Sequence, residues 1–490
     1  MRALRAAWPA ALCAVAAVVA FLPARSGGFL DWDDRIYIVA HERFLGFAAD
    51  QLRWMFFNDL PGHFQPLTWL SYAADRALWG MDPAGFHLTN LALHALNAAL
   101  LYSIGAALLG GRLGAALGTL LWALHPLRAE SVCWITERRD LLFVLFLLAA
   151  TRGYLAHARG RPGAYSLSVL AFAAAMLSKF AAAPWPVALL ALDRWLLGRR
   201  DWREKLPYFA IVALVAPLAL RAQAPAFASL GQTGPGERLL QSLFAAGFYL
   251  WKTVAPWGLS PWYGPEYMQA RLWIAGLGAA LLAALAWLWH ERRRARSSPL
   301  LAAGLFYLLM LAPAAGALKF GRQTAADRYS YAPMAGLSLL AGAGLARIAT
   351  GPAAPLALGT AALALIGLAG ASRAQSAHWK SSEALWTRIA ALNPQSSIAQ
   401  AMAAQQLLDG VRDEEGLARL RALYAQDPNF PNARLILGSA ENTVGLHKLE
   451  RGALSAALPH LRAAVELVPE SDAHRDNLRY AEAQLKKARR

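Results

Sequence analysis

Apolar runs recur along the chain at residues 6–22, 88–109, 113–124, 141–156, 164–178, 183–197, 206–220, 239–255, 272–289, 300–318, 332–346 and 353–371. A straight bilayer span needs roughly 20 apolar residues, so the longer runs predict spanning helices and the shorter ones have loose boundaries. Past residue 372 the pattern changes to a polar, Ala-rich helical periodicity. The expected fold class is therefore all-α: a polytopic membrane helical bundle over 1–371, followed by a second helical domain over 372–490.

That second domain carries a repeat signal. Pro394 and Pro428, in Asn393-Pro394 and Asp427-Pro428, are 34 residues apart, which is the tetratricopeptide period. A third unit closes at Pro469, with Gly445, Ala457, Leu461 and Ala464 at the small, small, large and small positions where paired helices pack closely. The middle unit has Gly416 where Ala is expected. The reading is two complete repeats, a partial one from Trp379 to Pro394, and a closing helix from Asp472, forming an α-solenoid.

Composition supports the membrane assignment: 57% of the 490 residues are hydrophobic and 16% charged, too apolar for a soluble domain of this length. Cys13 and Cys133 lie far apart in apolar segments, so no disulfide framework or thiol metal site is implied. The formal net charge of +17 gathers at the ends of apolar runs, with no nucleic-acid-binding motif. Lipid bilayer, and no nucleic acid, is the partner it implies.

Arg2, Arg5, the apolar stretch and Pro23-Ala24-Arg25 resemble a signal peptide, but without a small-x-small cleavage site an uncleaved anchor is expected. With a cytoplasmic N-terminus, Arg112, Arg152/Arg159/Arg161, Arg194/Arg199/Arg200/Arg203/Lys205, Arg292/Arg293/Arg294/Arg296 and Arg347 all obey the positive-inside rule. This holds on one condition, that 239–255 does not cross. Gln241, Trp251 and Lys252 in that run suit a helix lying in the interface or re-entering. The expectation is about eleven spans in a bacterial inner (plasma) membrane, with the C-terminal repeats external, in the periplasm. Residues 24–86, 126–140, 221–271 and 319–331 are then external too.

Candidate chemistry falls on that external side. Asp31-Trp32-Asp33-Asp34 follows the first span, and packed carboxylates raise one another's pKa so that one can serve as a general base; the alternative is a solvated loop with an Asp cap. His87, Asn90, His94 and Asn97, at i, i+3, i+7 and i+10, make a polar stripe on the second span. Interhelical hydrogen bonding accounts for Asn97, while His87 and Asn90, nearer the outside, are candidates to face an acceptor cavity. His125-Pro126 and Glu130-Ser131 end the third span, and Glu137-Arg138-Arg139-Asp140 opens the fourth. Glu130 and Asp140 thus offer a second acidic site, with internal Arg138 to Asp140 pairing as the alternative. Arg328 and Tyr329, within 319–331, suit a lipid-linked phosphate, as does Lys252; interfacial snorkelling is the alternative for the arginine.

In order along the chain, Trp32-Asp33-Asp34, Gln65-Pro66-Leu67-Thr68-Trp69, His87-Leu88-Thr89-Asn90, His125-Pro126 with Glu130-Ser131, Glu137-Arg138-Arg139-Asp140, Leu177-Ser178-Lys179, Ala326-Asp327-Arg328-Tyr329 and the C-terminal repeats resemble the transmembrane and tetratricopeptide repeat family of protein O-mannosyltransferases and its bacterial relatives. Those belong to the C-class glycosyltransferases. The resemblance implies a polyprenyl-phosphate sugar donor, an external active site and an acidic pair after the first helix. Asp33 would deprotonate an acceptor hydroxyl and Asp34 support it, Glu130 and Asp140 would complete the acidic site, and Arg328, Tyr329, Lys252 and Arg138 would bind the donor phosphate. His125 would join His87 and Asn90 at the acceptor side. Gln65 stands where the family often has a Trp-His pair, and Phe180 follows Lys179 where Pro is common.

The expected reaction is transfer of mannose or a similar hexose to a hydroxyl, on Ser/Thr of an exported protein or on a glycan recruited by the repeats, with inversion. A divalent metal, Mg or Mn, held between Asp33 and Glu130 stays open, since hard cations want many oxygen ligands. Two other readings compete: a membrane-anchored scaffold that works only through its repeats, and a lipid-linked-sugar transporter.

Overall fold

The structure, a computed structural model, describes residues 2–57, 64–224, 234–292, 297–316 and 323–488. His63, Arg293, Arg294, Arg296 and the 319–322 part of the Arg328 motif lie outside the described residues. Among those described, the chain is all-helical apart from one isolated bridge between Tyr263 and Ala325. It divides into two compact units, Met1–Lys380 and Ser381–Arg490. The boundary falls later than residue 371 because the Ala354–Ser376 helix runs on into a turn ending at Trp379, whose ring stacks on Trp134 at 5.9 Å.

Seven helices of the described residues are long and apolar enough to cross a membrane, and three more, Ala164–Ser178, Pro299–Ala314 and Met334–Ile348, are apolar but shorter. The protein is a multi-pass membrane protein, with fewer full-length candidates among the described residues than the roughly eleven spans expected. The 235–254 stretch is not one of the seven. It is nevertheless an unbroken helix, Pro235–Val254, and it packs so tightly on the spanning Trp273–Arg292 helix that a Cβ on Gly247 would lie 2.9 Å from the Gly278 nitrogen. A re-entrant break is not observed.

Local sequence explains the boundaries that matter for the site. The Pro83–Leu109 helix starts where Asp82 accepts from the Ala84 amide at 3.0 Å and Pro83 pre-sets the first turn. It ends at Gly110, whose φ of 67° favours glycine. The next helix, Arg112–Ala123, presents Gly114 and Gly118 to Gly342 of Met334–Ile348. A Cβ on Gly118 would sit 2.6 Å from the Ser338 carbonyl oxygen, and one on Gly342 2.3 Å from the Gly114 oxygen. Small residues four apart let two helix backbones touch. That crossing sets the segment after Ala123, with Glu130, against the segment before Met334, with Arg328.

The loop after the first helix is packed rather than extended. Ile38, Leu45, Met55, Trp69, Tyr72, Phe86 and Ile135 form one buried cluster, and Phe44 and Trp54 stack at 4.5 Å beside it. The loop is thereby fixed on the Pro66–Trp79 helix.

The second unit contains six helices, Ser382–Leu392, Ser397–Gln405, Asp413–Gln426, Ala433–Glu450, Leu454–Leu467 and Asp472–Ala488, each packed on the next. Pro394, Pro428 and Pro469 all follow closely on a helix end, as expected of a residue that cannot continue a helix. Ala457, Leu461 and Ala464 are buried, and a Cβ on Gly445 would meet Leu461 at 2.7 Å. Gly416, out of pattern in the sequence, has a reason: a Cβ there would come within 2.9 Å of the Ala404 oxygen.

Candidate active site

The two adjacent aspartates after the first helix have different surroundings. Asp34 is fully buried. Its Oδ2 accepts from the Leu30 amide at 3.0 Å, and its Oδ1 accepts from the Thr136 amide at 2.9 Å and from the Thr136 hydroxyl. It therefore pins the first loop to the segment that opens the Arg138–His157 helix. Burial pushes Asp34 up to about 6, against the pull of those hydrogen bonds. Asp33 points the other way, its side chain 27% exposed and its Oδ2 3.7 Å from Arg139 Nη2. Burial raises its pKa, while Arg139 and Arg328 lower it. Asp31 pairs with exposed Arg35 one turn on, which fits a loop residue.

Behind Asp33 runs a chain of ion pairs. Glu137 Oε2 accepts from Arg139 Nη2 at 2.8 Å, and its Oε1 accepts from Lys179 Nζ at 2.6 Å. Lys179 also reaches Asp140 Oδ1 at 2.5 Å, and Asp140 Oδ2 takes the Ser131 hydroxyl at 3.3 Å. On the other side Arg328 Nε lies 3.7 Å from Glu137 Oε2. Arg328 Nη1 pairs with Glu130 Oε1, and the Arg328 amide donates to Glu130 Oε2 at 2.8 Å. The Trp134 ring is flanked by both guanidiniums, Arg139 at 5.9 Å and Arg328 at 5.6 Å from its centroid, and touches Trp32 edge-on at 6.1 Å. Although burial pushes Glu137 up, Arg139, Lys179 and Arg328 together hold it well below the usual carboxylate range. Burial raises Glu130 to about 7 in spite of Arg328.

The structure thus brings Asp33, Glu130, Asp140, Arg328 and Tyr329 to one cluster, Tyr329 through its hydroxyl 3.0 Å from Arg328 Nη2. Five other candidates lie outside this cluster. Arg138 is buried and pairs with Asp75 at 2.5 Å, Asn90 Oδ1 at 2.8 Å and the Phe86 carbonyl at 2.8 Å, so its guanidinium braces the helix packing instead of reaching a phosphate or Asp140. Asn90 also donates to the Val132 and Trp134 carbonyls. His125 is bound at both nitrogens, to the Leu127 amide and the Thr253 carbonyl, and burial with Arg128 nearby pushes it down to about 3. Lys252 donates to the Trp257 carbonyl at 2.7 Å among the rings of Phe248, Tyr263 and Tyr267. His87 lies buried against Gly27.

Arg139, Glu137 and Lys179 are the members that residue-by-residue reading passed over. Neighbours on a helix point about 100° apart, so of Arg138 and Arg139 only one can face Asp33, and sequence does not say which. Lys179 carried a signal, a lone lysine where the Ala164–Ser178 helix ends in extended backbone, φ −160°.

The carboxylates do not make a hard-cation site. Both Glu130 oxygens are taken by Arg328, Glu137 is shared among cations, and no group of three metal-type ligands occurs among the described residues.

Because Asp34 has both oxygens filled by donors, Asp34→Asn should act on folding and not on chemistry. An amide nitrogen must turn toward Leu30 or Thr136, leaving a donor facing a donor, at a cost of about 1–3 kcal/mol. A clear drop in the melting temperature in detergent is the expected reading.

Fold and site together define a multi-pass membrane protein with a buried ionic cluster at the end of its helices and one partly exposed aspartate at the cluster's mouth. Residues 73–221 match the family described as dolichyl-phosphate-mannose-protein mannosyltransferase, a stretch that holds Glu130, Glu137, Arg139, Asp140 and Lys179. The chain is 31% identical over 178 residues to protein O-mannosyl-transferase Tmtc1 of Drosophila melanogaster, covering 34% of this chain and 20% of that one. It is 35% identical over 138 residues to protein O-mannosyl-transferase TMTC4 of Homo sapiens, covering 24% and 19%. The matched region is about a fifth of the length of these relatives. Crystal structures of ArnT from Cupriavidus metallidurans, bound to undecaprenyl phosphate and in the apo state, align with TM-scores of 0.39 and 0.42. Identity is 17%, over 91% of this chain and 79% and 78% of theirs. The resemblance to the transmembrane and tetratricopeptide repeat O-mannosyltransferases thus extends to curated relatives.

Proposed function

We propose that the protein is an inverting membrane glycosyltransferase. It moves mannose or a similar hexose from a polyprenyl-phosphate donor to a hydroxyl, on Ser or Thr of an exported protein, at the external face of a bacterial inner membrane. The observation that carries this reading is the pairing of roles in the cluster: a partly exposed carboxylate, Asp33, beside Arg139, with Arg328 held one carboxylate away. Asp33 takes the acceptor's proton as its oxygen attacks the anomeric carbon. The bond to phosphate breaks with its electron pair, and the polyprenyl phosphate leaves toward the guanidiniums, where preorganised cations help most. In this reading the N-terminus is cytoplasmic and the repeat unit lies outside, recruiting the acceptor.

The test is to incubate the purified chain in liposomes with a panel of polyprenyl-phosphate sugars and Ser/Thr peptides. Consumption of one donor with glycosylation of the peptide is expected, and a chain lacking residues 381–490 should keep activity on short peptides. If no donor on the panel is consumed, the reading fails. If the truncated chain loses all transfer while Asp33→Asn is harmless, the scaffold reading replaces it.

A further inference from the structure

Arg328 is already engaged on every side of its guanidinium. Its Nη1 and its backbone amide are taken by the two oxygens of Glu130, its Nη2 by Gln323 Oε1 at 3.2 Å and by the Tyr329 hydroxyl at 3.0 Å, and its Nε faces Glu137 Oε2 at 3.7 Å. A phosphate that takes this guanidinium in a bidentate fork must compete with a carboxylate already there. The two candidates differ. Glu137 is also bound by Arg139 and Lys179, so releasing it would take a shared anion from two further cations. Glu130 has no cationic partner other than Arg328 among the described residues.

We infer that Glu130 holds the place of the donor's phosphate on Arg328, and that phosphate binding is an exchange in which the released Glu130 carboxylate takes up a proton. This deepens the glycosyltransferase reading and rests on it.

The surroundings of Glu130 favour that exchange. It is 1% exposed. Asp327, on the segment packed against it, and Glu137, from the start of the next helix, are both near enough to repel its charge, and Arg328 is the cation paired with it among the described residues. Arg128, two residues before it, is committed to Ser330 at 2.9 Å and 2.7 Å. Once Arg328 turns to a phosphate, an ionised Glu130 would be a buried charge without a partner, which costs several kcal/mol; protonation removes that cost. The balance is simple: the carboxylate gains one proton from solvent, and the guanidinium exchanges a carboxylate anion for a phosphate anion.

The experiment is calorimetric titration of the full chain in detergent with a short-chain polyprenyl phosphate. It is done in two buffers of different ionisation enthalpy, on the alkaline side of Glu130's raised pKa, for wild type and Glu130→Gln. Wild type should take up about one proton more per phosphate bound than the variant does, since linkage counts the protons gained on binding. The variant should bind at least as tightly, because an amide is a weaker competitor for Arg328. Equal proton uptake in the two proteins overturns the exchange. So does a variant that keeps its melting temperature but binds tenfold or more weakly, because Glu130 would then be a fixed support. The wild-type uptake stands by itself if the variant fails to fold, and its absence overturns the proposal. Inorganic phosphate as a second probe separates the two readings. Uptake with inorganic phosphate but no binding of the polyprenyl form leaves the exchange standing and removes the donor assignment, whereas no binding of either removes both.

Discussion

Replacing Asp33 by asparagine is expected to lower kcat by about 10²- to 10⁴-fold, the range a positioned general base supplies, with little change in KM for the donor. Among the cluster's carboxylates only Asp33 can meet an acceptor: its side chain is 27% exposed, against 1% for Glu130, 0% for Glu137 and 4% for Asp140. Asparagine keeps the size and most of the contacts, so the melting temperature should hold, in contrast to Asp34→Asn. The pH profile gives a second reading. A base works unprotonated, so transfer must fall as pH drops through the pKa of Asp33, which burial has raised. Arg139 is the largest influence pulling that pKa back down; Arg139→Gln should therefore move the acid limb to higher pH. A profile unmoved by Arg139→Gln, or an Asp33→Asn protein with wild-type kcat, would remove Asp33 from the chemistry.

The helical class was legible because it rests on periodicity, which each segment carries by itself. The count of spans was less so. Runs such as 113–124 are apolar enough to suggest a crossing, yet there the helix is only Arg112–Ala123, held by the close fit of Gly118 on Ser338 and Leu339, a contact made far along the chain. The site shows the same division. The acidic pair after the first helix could be read as a candidate site, but the different surroundings of its two aspartates could not, because the difference lies in Thr136, about a hundred residues on. Arg138 and Arg139 are indistinguishable in composition. Asp75 and Asn90 draw one of them into the helix packing and leave the other beside Asp33. His125 and Asn90 looked like cavity residues because polar groups in apolar helices are conspicuous. In the fold they bond to backbone carbonyls, the more frequent fate of buried polar groups.

The residue whose loss should do most damage to the whole cluster is Glu137, which touches no solvent. It is the common anion for Arg139, Lys179 and Arg328. Removing one partner of a buried pair costs about 3–5 kcal/mol, since the remaining charge is left uncompensated. With Glu137→Gln, Arg139 keeps only Asp33 at 3.7 Å, Lys179 keeps Asp140 and Arg328 keeps Glu130. Two effects should follow together: a large fall in the melting temperature in detergent, and loss of transfer, because Arg139 would swing onto Asp33 and lower the pKa that makes it a base. Glu137→Asp, with the charge kept on a shorter stem, should recover part of both. Lys179→Met separates cause from coincidence. If Glu137 acts by balancing these cations, adding Lys179→Met to Glu137→Gln should cost less than the two single losses combined, by about 0.5–3 kcal/mol, the size of coupling found between groups in contact. Strict additivity, or a Glu137→Gln protein as stable as wild type, would mean that the cations are neutralised by some other route and that Glu137 does not organise the site.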